Sequence, residues 1–230
     1  MSKNIAVTIS DKRAARATCD KGHGFNVAIA APAYALLYER ALQRLSTGDL
    51  RDAVLDAYTA LDMYLPNVPL RARYESDKTL TPRDIPGLRS ELKKHATRHS
   101  ERAIGAALAV VSVVSGKAPP HFDRSLSEIR NDAIHAGIYP DREAAEEMIF
   151  RIATLILEFE SLLNKTFPDR DPSFRLALQI ADFPKFEESG DRTTVGTGTI
   201  LSGDLEPSPT ARDRLKQYES GEFPPSSWLI

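Results

Sequence analysis

Between Pro32 and Leu163 apolar residues return every three or four positions, broken by polar or proline-bearing gaps. This period commits the chain to helices packed on helices. Tyr34, Leu37, Tyr38, Ala41, Leu42 and Leu45 form a first stripe, with Pro32 suited to the first helical position and Ser46-Thr47-Gly48 as the stop. Asp49 is placed to cap a second helix, whose stripe runs from Leu50 through Val54, Ala57 and Leu61 to Leu65. So short a joint predicts an antiparallel helical hairpin.

Pro66, Pro69, Pro82 and Pro86 then mark a connection of about twenty residues, with at most a helical turn around Leu70–Tyr74. One long helix is expected from Leu88 to Ser115, its second half apolar nearly all round and therefore central. The next is expected from Phe122 to Ala136, with Phe122, Leu126, Ile129 and Ala133 on one face and Gly137 just past its end. Pro140-Asp141 opens the last long helix, through Met148, Ile152, Ile156 and Phe159. The expectation is an all-α, four- to five-helix bundle over residues 31–167.

The two ends read differently. In residues 1–30, Ile5, Val7 and Ile9 alternate with polar residues, as do Phe25, Val27 and Ile29, so a small N-terminal β-hairpin-like segment is expected. Residues 168–230 hold 7 of the 15 prolines and four more acidic than basic residues. They read as an irregular, partly ordered C-terminal extension that could dock a protein partner. A net charge of −2 gives no bulk attraction to nucleic acid, so any RNA contact needs a local patch. The single cysteine leaves no intramolecular disulfide and fits a reducing, cytoplasmic setting. No signal peptide or membrane-spanning run is expected.

The chemistry concentrates in Arg130-Asn131-Asp132-Ala133-Ile134-His135, closed by Gly137 between two helical stretches. An arginine, a histidine and two small polar side chains can hold a phosphodiester and move a proton without a metal. In a regular α-helix Arg130 and His135 stand about 140° apart around the axis, whereas Asn131 and His135 share a face. Lys94, Arg98 and Arg102 at i, i+4, i+8 could track a phosphate backbone. His95 and His99 have the spacing of a zinc helix, but Ala96 stands where a metalloprotease needs Glu and no third ligand is near. No metal or cofactor is expected. Cys19-Asp20-Lys21-Gly22-His23 lacks the second ligand pair of a zinc ribbon and reads as a turn.

The run Ser127 to Gly137, followed by a Pro-Asp helix start and a long amphipathic helix, resembles the HEPN superfamily, whose signature is Arg, a polar residue, three residues, then His. Arg130, Asn131 and His135 match it, and the resemblance covers residues 32–165. It implies a metal-independent endoribonuclease acting as a homodimer, with the motif helices of two copies meeting over RNA, and a role as a toxin or phage-defence component. In that scheme His135 serves as general base and general acid from opposite copies. Arg130 stabilises the phosphorane, Asn131 orients, and Asp132 supports across the interface. The alternative is a non-catalytic dimerisation or RNA-binding scaffold of the same fold within a larger complex.

Overall fold

The chain, seen in a computed structural model, is described over residues 14–18, 24–29, 32–96, 100–169, 174, 192–195 and 211–221. Its fold is all-α. Helices α1 (Ala33–Thr47) and α2 (Leu50–Tyr64) pack along each other, joined through Gly48 and Asp49. Gly48 sits at φ 84°, a left-handed geometry in which a Cβ is strained. This lets the Gly48 and Asp49 amides return to the Leu45 and Arg44 carbonyls. Two end assignments shift: Pro32 is the cap residue rather than the first helical one, and Asp49 caps by position without a side-chain bond.

Helix α7 (Arg142–Thr166) is the third wall, begun by Asp141, whose carboxylate accepts from the Ala144 amide at 2.8 Å. Tyr38, Leu42 and Leu45 of α1 meet Ala57 and Leu61 of α2 and Ile149, Ile152 and Ile156 of α7 in one continuous buried core. The Tyr38 hydroxyl donates to the Ile149 carbonyl at 3.1 Å, so this deep phenol is satisfied and burial holds it in the protonated form.

The expected connection after Pro66 is instead helix α3 (Asn67–Ser76), followed by a short 3₁₀ turn at Pro82–Asp84. Pro66 and Pro69 misled because both fall at the helix start, where no intrahelical amide bond is lost. Arg71 of α3 anchors it, donating to Glu160 Oε2 at 2.8 Å and to Asn164 Oδ1 at 2.7 Å on α7. Tyr64 completes the set by donating to Glu160 Oε1 at 3.0 Å.

The single long helix expected over Leu88–Ser115 is two, α4 (Ile85–Ala96) and α5 (Ser100–Ser115). Nor is the second of them enclosed. Ala107 and Val111 are buried, but Val113 is 82% exposed, so α5 covers the bundle with one face.

Helix α6 (Ser125–Asn131) runs directly into a π-helical turn, Asp132–Ala136, and Gly137 ends it at φ 65°. Helix α8 (Ala211–Ser220) lies against α1 and α7, with Leu215 and Tyr218 buried, so this part of the C-terminal extension is helical. Its polar contact is internal. Glu39 of α1, with no exposed surface, accepts from Arg214 Nε at 3.2 Å and from the Tyr218 hydroxyl at 3.0 Å. Phe174 joins Leu70, Tyr74 and Ile85 in a smaller cluster under α3 and α4.

The small β element expected at residues 1–30 is not supported as drawn. Its first strand, through Ile5, Val7 and Ile9, lies outside the described residues. The residues of its second strand, Phe25, Val27 and Ile29, fall in β2 (Gly24–Ile29), which pairs antiparallel with β1 (Ala14–Thr18) and parallel with β3 (Arg192–Val195). The fold class is carried by the helices. Among the described residues no helix is long and apolar enough to cross a membrane.

Candidate functional site

Leu126 and Ala133 are buried and Ile129 packs on the same core, which turns the opposite side of α6 and its π turn outward. Asn131, Asp132 and His135 are exposed there and Arg130 is half-buried. The π turn changes the geometry that a regular helix would give. Gly137 N–H and Ile138 N–H, at 3.2 Å for the latter, both return to the Asp132 carbonyl. An i→i+5 ladder widens the turn, so residues five apart come round toward the same side. The 140° separation of Arg130 and His135 in an ideal helix is therefore reduced, and the i, i+4 alignment of Asn131 with His135 is weakened. Asn131 Oδ1 accepts from Arg130 Nη1 at 2.8 Å instead.

Three residues that the sequence did not single out hold this turn. Arg130 lies over the Tyr58 ring of α2, with its guanidinium carbon 5.6 Å from the centroid. The Tyr58 hydroxyl and Ser127 Oγ are 2.9 Å apart, tying α6 to α2. Burial pushes the Tyr58 phenol up, an effect that the Ser127 hydrogen bond and the nearby Arg130 charge partly offset. Arg51, also on α2, donates from Nε to the Ala133 carbonyl at 3.0 Å, inside the π turn. Tyr58 is not among the residues of the α2 stripe read from the sequence, and nothing in Arg51 or Ser127 marks them out.

The start of α6 is fixed by Asp123, whose Oδ1 accepts from the Ser125 amide at 2.9 Å and whose Oδ2 pairs with Arg151 of α7. The Ser125 backbone amide is the main cause that draws the Asp123 carboxyl below its usual range. A folded pKa below the unfolded one adds stability above the unfolded value, and that stability is lost as pH falls through the folded value. Acidification below pH 4 should therefore loosen the first turn of α6. Amide protection at Ser125–Glu128, taken relative to the intrinsic exchange rate at each pH, is expected to fall there, and an Asp123→Ala variant should show the reduced protection already at neutral pH.

The other candidates separate. Lys94 lies exposed near the end of α4 and Arg102 exposed near the start of α5, so i, i+4, i+8 spacing no longer places them on one helix face. Arg98 lies outside the described residues, as do Cys19, His23, His99 and the side chain of His95. Among the described residues no three His, Cys, Asp or Glu side chains gather to hold a metal.

Three exposed apolar residues stand close to His135 in the chain. Ile134 is 37% exposed, Ile138 58% and Tyr139 70%. The site thus combines a cation, an imidazole and acceptors with an open hydrophobic rim, an arrangement suited to a partner surface. No family model, curated protein or solved structure matches the chain.

Proposed function

We propose that this chain is a metal-independent endoribonuclease of HEPN type, acting as a homodimer in the cytoplasm in a toxin or phage-defence role. The observation that carries this reading is the junction of α6 with its π turn, where exposed Asn131 and His135 and half-buried Arg130 stand within six residues, followed by exposed Ile138 and Tyr139. One such turn offers a single imidazole, and transfer of an RNA 2′-hydroxyl to its neighbouring phosphate needs a base and an acid. Two copies meeting at this rim supply both. One His135 takes the 2′-proton, and the oxygen attacks phosphorus. The 5′-oxygen leaves with the proton of the other His135, giving a cyclic phosphate and a 5′-hydroxyl. Arg130 neutralises the crowded phosphorane.

The second reading, a non-catalytic scaffold, is favoured by one feature: Arg130 stacks on Tyr58 and bonds to Asn131, as an arginine with a purely structural task would. RNA cleavage in EDTA separates the two. Wild type should cut, and Arg130→Ala and His135→Ala should each cut far more slowly. Equal residual activity in all three would remove the site.

A further inference from the structure

Two side chains reach the motif turn from one face of α2. Arg51 and Tyr58 stand two helical turns apart, about 10 Å along the axis, and so point the same way. Arg51 Nε donates to the Ala133 carbonyl at 3.0 Å, and the Tyr58 ring lies under Arg130, with 5.6 Å between its centroid and the guanidinium carbon. Tyr58 is itself fixed. It is 3% exposed, within the core that joins α2 to α1 and α7, and its hydroxyl is held by Ser127 Oγ at 2.9 Å. We infer that Tyr58 is the positioning residue for Arg130, holding the guanidinium where an RNA phosphate can take its N–H groups. This rests on the nuclease reading.

The physical reason lies in how a ring holds a cation. A guanidinium carries five N–H donors, which an ion pair or carbonyl contacts would occupy. A ring face attracts the charge through its quadrupole and needs no acceptor atom. Among the described residues one donor of Arg130 goes to Asn131 Oδ1 at 2.8 Å, so most of its fork remains for phosphate oxygens. Carboxylates are close by: the charges of Asp62 and Glu101 act on the Tyr58 phenol, as does that of Arg130. A long, flexible arginine without the ring would be drawn toward such groups. Burial keeps the phenol protonated, so it offers the cation a neutral ring and not a phenolate. Arg130 meets the full phosphorane charge only in the transition state, so its placement acts on kcat more than on KM.

Cleavage of a mixed-sequence single-stranded RNA in EDTA by the full chain tests the role. Tyr58→Leu removes the ring and should lower kcat about tenfold to a hundredfold with KM little changed. Tyr58→Phe keeps the ring and should recover most of that loss. In an Arg130→Ala background Tyr58→Leu should cost no further rate, whereas a purely structural tyrosine would lower both backgrounds alike. The placement itself is read without RNA, from the Arg130 side-chain proton resonances, identified by their loss in Arg130→Ala. A ring face beneath them moves them upfield, so wild type and Tyr58→Phe should share the shift and Tyr58→Leu should lack it. Should the leucine variant unfold, wild type must still show the shift. Unshifted Arg130 resonances in wild type would overturn the inference, as would equal slowing in both backgrounds or a phenylalanine variant as slow as the leucine one. A shifted Arg130 in a wild type that cuts no RNA would instead remove the nuclease reading, and the positioning role with it.

Discussion

His135→Ala is expected to slow RNA cleavage by about 10²–10⁴-fold, the range for loss of a positioned general acid or base. The structural cost should be small. His135 is exposed at the end of the π turn, and the turn is held by groups that the substitution leaves in place. These are the Asp132 carbonyl with its two amides, Arg51 on the Ala133 carbonyl, and buried Ala133. Exposed substitutions of this kind usually move stability by no more than about 0.5 kcal/mol. A thermal unfolding curve that overlays wild type, together with lost cleavage, separates chemistry from folding. A variant that cuts at the wild-type rate would remove the histidine from the reaction.

Arg214→Ala should have the largest effect on stability. It takes the guanidinium from Glu39, which has no exposed surface, and leaves the Tyr218 hydroxyl on the same oxygen. Breaking one side of a buried ion pair costs about 3–5 kcal/mol, because the remaining charge stays out of water. The chain has a way to limit that cost: α8 can leave, letting water reach Glu39 and exposing Leu215 and Tyr218. The expected result is therefore local. Amides of Ala211–Ser220 should exchange much faster, while those of α2 and α7 change less. The pair Glu39→Leu, Arg214→Leu should recover most of the loss, since an apolar contact needs no partner. Uniform acceleration across all helices would mean that α8 and the bundle open as one unit.

The parts of the fold legible in sequence share a cause. Helices α1, α2 and α7 each bury a long, regular stripe, and their ends are set by local chemistry at Gly48 and Asp141. The segments misread depend on contacts between residues far apart, or on a change of helical pitch. Helix α3 is held by Arg71 reaching Glu160 and Asn164 on α7, against the signal of its prolines. Helix α8 buries only Leu215 and Tyr218, too few to mark a stripe, and its polar partner Glu39 lies 175 positions from Arg214. The candidate site divides in the same way. Its Arg-Asn-x₃-His pattern and closing glycine are visible in the sequence. The π turn is not, because Leu126, Ile129 and Ala133 keep the spacing of an ordinary α-helix.

The central claim is that two copies bring their π turns together, and oxidative cross-linking through that turn tests it most directly. Asp132 is exposed, and Cys19 is the sole native cysteine, so Asp132→Cys with Cys19→Ser carries one thiol at the seam. Residues near a two-fold axis meet their own copies, and a disulfide forms only when their Cα atoms lie about 4.4–6.8 Å apart. The expected result is a covalent dimer that forms rapidly under mild oxidation and reverts on reduction. A chain that stays monomeric, while the same thiol reacts freely with a small disulfide reagent, would contradict the account.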